Sequence, residues 1–278
     1  LTRTYSGAGN TKKWTFSAWV KKSNVATNGT LFHSKTTGNT NFESIILTSG
    51  GNFDWEHYEY TSSAYKGRLK TNRLFRDPNA WYHIVCVFDS ANATAGDRMR
   101  LYVNGTEETS FSIDTNPTQN QDSIINAANA HNIGGSGSSL YLDGILSHVH
   151  FCDGYAYAAS DFGSTDSTTG EWKINANPSV SYGTNGFTVL KDGSTITDQS
   201  ANSNNFTVGG GTLNNTEDCP SNVFATLNPL QQNNTATTYS NGNTKGTGTS
   251  STSNFSSTPA TLAASSGKFY AEYKPNLS

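Results

Sequence analysis

The chain has 278 residues, only 14% of them charged, and a formal net charge of −3. Its polarity comes from Ser, Thr, Asn and Gly rather than from Lys and Arg, so the dense basic face that phosphate binding needs is missing, which argues against nucleic acid as a partner. No run of about 18 apolar residues occurs, so no helical segment of the sequence reads as a membrane span.

Trp14-Thr-Phe-Ser-Ala-Trp-Val-Lys21 alternates as a strand, with Trp14, Phe16, Ala18 and Val20 inward and Thr15, Ser17 and Lys21 outward. The basic doublets Lys12-Lys13 and Lys21-Lys22 read as solvated strand ends. Thr30–Ser34, Ser44–Thr48 and Asn52–Tyr60 follow as short strands separated by Gly, Asn and Ser clusters, the spacing of an all-β sandwich or barrel. Trp81-Tyr-His-Ile-Val-Cys-Val-Phe-Asp89 is apolar on both faces. Tyr82, Ile84, Cys86 and Phe88 point one way and Trp81, Val85 and Val87 the other, which requires cover on both sides. Arg100–Gly105 ends in Asn104-Gly105, the pair that supplies the two positive-φ positions of a type I′ hairpin turn.

Helix signals are nearly absent. Ile124–Ala130 can make a turn or two, and Ala156–Phe162 a short helical turn. Gly134-Gly-Ser-Gly137 is glycine-rich but joins two strands and opens no helix, so it is no phosphate loop. A second unit starts near Gly170, with a strand in Tyr182–Leu190 and a turn over Asp198–Phe206. Residues 231–266 hold hardly an apolar side chain and read as linker, because such a segment cannot offset its ordering entropy by burial. Lys268-Phe-Tyr-Ala-Glu-Tyr273 reads as a further strand. Leu1 opens in a strand approach and Ser278 follows a strand, which reads as a piece of a longer polypeptide.

The three cysteines, Cys86, Cys152 and Cys219, match no zinc or redox spacing. They are expected as free thiols in a protein folded in a reducing compartment. Asn-x-Ser/Thr sites such as Asn92-Ala-Thr94 are expected by chance in so Asn- and Thr-rich a chain.

The two-faced strand, the hairpin turn, Ile133-Gly-Gly135 and Tyr141-Leu-Asp-Gly-Ile145 together resemble the laminin-G/pentraxin-like branch of the concanavalin A-like jelly roll. The likeness goes further in Lys13–Lys22, Phe75-Arg-Asp-Pro-Asn-Ala-Trp-Tyr-His-Ile-Val85, Asp143–Phe151, Tyr182-Gly-Thr-Asn-Gly-Phe187 and Cys219-Pro-Ser-Asn-Val-Phe-Ala-Thr-Leu-Asn-Pro-Leu230. These segments are similar to laminin-G-like domains in virion structural proteins of marine, cyanophage-type tailed phages. The resemblance implies a jelly roll over 1–165, a β accessory segment over 166–230, a low-complexity linker over 231–266, and over 267–278 the first strand of a SPRY-like sandwich. It also implies a family first strand that should precede Leu1. A location on the virion surface follows, in a tail fibre, spike or head fibre made in the host bacterial cytoplasm.

Several residue groups invite chemistry. Asp54, Glu56 and Glu59 lie on one strand, where jelly-roll glycosidases carry paired carboxylates. The order is reversed from that pattern and Glu59 needs a β-bulge to join, so no catalytic residue is assigned. Trp55, His57, Tyr58, Tyr60 and Tyr65 are the candidate glycan contacts. Tyr155 and Tyr157 form a second aromatic pair. His148-x-His150-x-Cys152 places three donor side chains on one strand face, a spacing that zinc can use. Asp143 stands at the aspartyl-glycyl turn of laminin-G-like domains, and Asp89 and Asp97 flank a loop. The three aspartates suggest calcium as the cofactor, and with His148 and His150 they make up the metal candidates.

The expectation is therefore an all-β, non-enzymatic virion appendage protein that presents a lectin-like domain to host-surface glycans. A purely architectural decoration protein and a glycan depolymerase are the alternatives. Partners are other virion proteins and a host glycan. Exposed sheet edges, at the front of the chain and along the linker, suggest a homo-oligomer, with a trimer favoured.

Overall fold

A computed structural model describes residues 1–38, 41–191, 193, 195–231, 237–248 and 257–275. It divides into two compact units, Leu1–Phe224 and Ala225–Ser278. The first begins with β1 (Thr2–Thr4), β2 (Lys13–Lys22), β3 (Gly29–Lys35), β4 (Phe42–Leu47), β5 (Asn52–Glu59) and β6 (Ala64–Leu74). It continues through β7 (Tyr82–Asp89), β8 (Met99–Val103), β9 (Thr106–Glu107), β10 (Phe111–Thr115), β11 (Ala130–Ile133) and β12 (Gly144–Asp153). Three short strands, β13 (Gly163–Thr165), β14 (Trp172–Ile174) and β15 (Phe187–Val189), complete it.

β13 pairs with β14 in a separate two-stranded sheet, and two large antiparallel sheets form the sandwich. One runs β1-β11-β3-β4-β5-β6-β10 and the other β15-β12-β2-β7-β8-β9. Between them lies a dense aromatic core. Phe16 of one sheet stacks on Phe32 of the other with ring centroids 5.1 Å apart, and Trp14 meets Trp55 at 5.3 Å. The inward residues are those the alternation of β2 predicts, Trp14, Phe16, Ala18 and Val20. The β8–β9 turn is the expected two-residue hairpin, with φ of 48° at Asn104 and 80° at Gly105.

Strand β7 is covered on both sides, as its composition requires. Ile84, Cys86 and Phe88 enter the inter-sheet core. Val85 and Val87 join a second, smaller core with Tyr102, Cys152, Ala159 and Phe162, against which Tyr157, Trp172, Val180 and Tyr182 pack. The chain beyond β12 thus folds back over the outer face of the smaller sheet. His83 sits under this cover, stacked on Trp19 at 5.0 Å and on Trp172 at 5.9 Å. Trp172 Nε1–H donates to His83 Nδ1 at 3.0 Å. An indole nitrogen can only donate, so Nδ1 is bare and the His83 proton sits on Nε2, facing Ser17 Oγ at 2.9 Å. Burial pushes the His83 pKa down to about 3.

Several expectations are revised. Lys21 and Lys22 are not solvated strand ends but buried. Lys21 is on the outer face of β2, which a second layer covers here, and Lys22 is on the face toward the larger sheet, so each ammonium finds its partners inside. Lys21 Nζ meets Asp218 Oδ2 at 2.6 Å, while Lys22 Nζ donates to the carbonyls of Thr27, Leu47 and Thr48. Residue 165 marks no break in the packing: β15 pairs with β12 at the edge of the sandwich, and the first unit runs to Phe224. The edge beside β11 is taken by β1, and Thr207 bridges to Thr2 along its outside.

The second unit holds a hairpin of β16 (Thr237–Ser240) and β17 (Lys245–Gly248), within the segment expected to be unstructured linker. Residues 232–236 and 249–256 of that segment lie outside the described residues. Lys268–Tyr273 forms no strand: among the described residues no neighbouring strand accepts its backbone hydrogen bonds, and a strand exists only as one of a pair. Tyr273 is 85% exposed. Residues 276–278 of the expected strand segment are not described.

Candidate carbohydrate-binding face

Strands β4, β5 and β6 of the larger sheet position the candidate site. Their inward positions are set by the core: Glu43, Ile45 and Leu47 on β4, and Phe53, Trp55 and His57 on β5. Alternate residues must then point away from it. Cross-strand register lines the outward ones up in two rows. Asn132, His33, Ser44, Glu56 and Arg68 stand side by side on five adjacent strands, all polar. Beside them run Phe42, Tyr58 and Tyr65.

The two rows are knit together. Tyr58 stacks with Phe42 at 5.5 Å and meets Tyr65 edge-on at 5.0 Å. Arg68 lies over the Tyr65 ring, 4.3 Å from its centroid, and forks onto Asp54 at 2.9 and 2.7 Å. Glu56 is 3.9 Å from the same guanidinium. Partial burial, with the Asp54 charge next, raises the Glu56 pKa. At the strand end Tyr60 is 62% exposed and Tyr65 38%. His33 Nδ1 lies 2.5 Å from Ser44 Oγ, and its buried Nε2 has no hydrogen-bond partner among the described residues. Burial pushes the His33 pKa down to about 4. The face therefore offers carboxylates, a guanidinium and phenol hydroxyls beside accessible ring carbon, the mixture that a polyol ring can meet.

The five candidate glycan contacts split. Tyr58, Tyr60 and Tyr65 lie together on the outer face and its rim. Trp55 and His57 do not join them. Trp55 is fully buried, and its Nε1–H donates to Glu43 at 3.0 Å. His57 is buried on the same inner side, with Nδ1 4.0 Å from Glu43 Oε2. The Glu43 carboxylate explains this polar interior: it also accepts the Ser123 hydroxyl and the backbone N–H groups of Ile124 and Ile125, anchoring that loop. A β-bulge between His57 and Tyr58 brings Glu59 to the strand end, where it pairs with Lys66 at 2.9 Å rather than with Asp54 or Glu56.

The metal candidates are not brought together. Among the described residues no three His, Cys, Asp or Glu side chains form a group that could hold a metal ion. Asp89 pairs with Lys13 at 3.1 Å, and Asp97 lies in the turn before β8. Asp143 turns the chain into β12 beside Lys22, whose ammonium brings its own positive charge to that rim. A bulge after Ser147, with φ of 49° at His148, takes His148 out of phase with His150. His150 is buried under the cover, its Nδ1 3.0 Å from the Tyr182 hydroxyl, and burial holds its pKa well below the usual value. Tyr155 and Tyr157 do stack, at 5.5 Å, with Tyr155 exposed.

No curated protein matches the sequence. Among solved structures, the native heptameric SAP-like pentraxin of Limulus polyphemus is similar over 56% of this chain and 70% of its own, at 19% identity and TM-score 0.40. The CBM40 of a Ruminococcus gnavus sialidase, solved with α2,3-sialyllactose, is similar over 52% and 83%, at 13% identity and TM-score 0.35. Tailspike protein 2 of Escherichia coli O157:H7 bacteriophage CAB120 is similar over 58% and 22%, at 11% identity and TM-score 0.39. These likenesses are distant, and nothing about function rests on them. Residues 3–161 match the laminin G-type family described as the concanavalin A-like lectin/glucanases superfamily. With that match spanning more than half of the sequence and a two-sheet sandwich to go with it, the chain belongs to the concanavalin A-like lectin/glucanases superfamily.

Proposed function

We propose that this chain is a non-enzymatic appendage protein of a phage virion, a tail fibre, spike or head fibre, which holds host-surface glycan on the outer face of its larger sheet. The single observation that carries the binding site is the grouping of Tyr58, Tyr60 and Tyr65 with Glu56 and Arg68 on that face. The virion setting rests on the segments in Lys13–Lys22, Phe75–Val85 and Cys219–Leu230 that resemble phage structural proteins. Binding is favoured over hydrolysis because Asp54 is engaged by the Arg68 fork, which holds both its oxygens, and Glu59 by Lys66. Weak single sites of this kind reach firm adhesion through several copies on one particle, so a homo-oligomer, a trimer in our reading, belongs to the proposal.

The test is a glycan array with the full chain, run with and without EDTA. Binding that falls in Tyr60→Ala and Arg68→Ala supports the site. No binding to any glycan would leave a purely architectural decoration protein. Release of reducing sugar from a bound polysaccharide would make the protein a depolymerase. Light scattering that shows a monomer at high micromolar concentration would remove the trimer.

A further inference from the structure

Adjacent lysines on β2 are buried in two different ways. Lys22 Nζ is dressed as a cation, with three backbone carbonyls around it. Three acceptors match the three N–H donors of an ammonium. Lys21 Nζ makes one hydrogen bond among the described residues, to Asp218 Oδ2 at 2.6 Å. Its side chain is 1% exposed and that of Asp218 0%. An ammonium sealed from water with two idle donors is poorly served, and so is a carboxylate that shares a single cation there. Moving one proton from Nζ to Oδ2 removes both charges and leaves an amine against a carboxylic acid.

The other carboxyl oxygen is arranged differently. Asp218 Oδ1 accepts the Trp81 Nε1–H and the Phe224 backbone N–H, each at 3.2 Å. Two N–H donors aimed at one carboxyl oxygen, with a nitrogen nucleophile at the opposite oxygen, is the layout that stabilises a tetrahedral acyl intermediate. The pair is 197 residues apart in sequence and joins β2 to the last stretch of the first unit.

We propose that Lys21 and Asp218 condense into an intramolecular isopeptide bond, a covalent strap closing nearly the whole first unit into a loop. The steps balance without any co-reactant. The Nζ proton passes to Oδ2. The lone pair of the neutral amine attacks Asp218 Cγ, and the negative charge that forms on Oδ1 is held by the Trp81 and Phe224 N–H groups. A second Nζ proton goes to the Oδ2 hydroxyl, the Cγ–Oδ2 bond breaks, and one water leaves. The product is a secondary amide whose carbonyl oxygen, Oδ1, keeps both donors it had before. Holding the two groups in contact makes a sluggish condensation effectively unimolecular.

The experiment weighs the intact full chain by mass spectrometry after purification and incubation near neutral pH, followed by protease digestion. The expected result is a mass short of the sequence by one water and a branched peptide containing both Lys21 and Asp218. The strapped chain is also expected to run faster in a denaturing gel. Lys21→Met and Asp218→Ala are expected at their full sequence masses whether or not they fold. The proposal is overturned if the parent, folded by circular dichroism, keeps its full sequence mass. It is equally overturned if the loss of water persists in Lys21→Met, because the bond would then lie elsewhere.

Discussion

The outer faces of the two sheets have opposite fates. That of the smaller sheet carries Ser17, Trp19, Lys21, His83, Val85 and Cys152, all buried beneath the chain that follows β12. That of the larger sheet carries Glu56, Tyr58, Tyr65 and Arg68, which keep contact with solvent. Both faces mix aromatic, charged and hydroxyl side chains, so composition does not distinguish them. What separates them is whether a later segment of the chain folds back on top. The covered face becomes a second core; the open one stays in contact with solvent.

The strongest way to probe this contrast starts between the sheets. Phe16→Ala, deep in the shared core, is expected to cost about 3–5 kcal/mol in a urea titration. Phe162→Ala, in the smaller core, is expected to cost about 2–3 kcal/mol, less because the cover can collapse locally. Its signature in hydrogen exchange should be faster opening of residues 155–182 with β2 and β7 unchanged. Equal loss of protection in both regions would show that the two cores are one cooperative unit and erase the distinction.

Acid should act on the covered face too. His83 has a folded pKa of about 3, below the ordinary value of about 6.5 for an unfolded histidine. Its neutral form is the stabilising one, so its contribution is fully present above about pH 6.5 and is lost as pH falls toward 3, because the unfolded chain binds the proton first. By pH 5 the loss from His83 alone is about 2 kcal/mol. His83→Gln, whose amide oxygen can still accept from Trp172, is expected to flatten that part of the pH–stability curve. A curve unchanged by the substitution would mean that His83 is not sealed under the cover.

The smallest effect on stability belongs to the open face. Tyr60→Ala is expected to shift the unfolding free energy by less than about 0.5 kcal/mol while lowering glycan capture. A large destabilisation would show that Tyr60 supports the fold and would remove it from the site.

The strands were largely legible from local pattern. Trp14 to Val20 alternate with a period of two, and the pleat of a strand has the same period, so the inward set could be named directly. Asn104-Gly105 names its own turn, because few other pairs accept two positive φ angles. The aromatic cluster from Trp55 to Tyr65 was legible only in part. Both faces of β5 are aromatic or charged, and the core itself holds a carboxylate, Glu43, on the same side as His57. The alternation therefore says that Trp55 and Tyr58 point opposite ways but not which of them meets water.

The strands with their turn residues, the two-faced character of β7 and the hairpin at Asn104 each depend on residues close together in the chain, and so could be read before any fold was known. Which outer face is covered, that Lys21 meets Asp218 rather than solvent, and that three tyrosines out of five aromatic candidates share a surface emerge in three dimensions alone. Those outcomes depend on contacts between segments far apart in sequence, as with Lys21 and Asp218. A lysine beside another lysine carries no local mark of a carboxylate that the fold will bring to it.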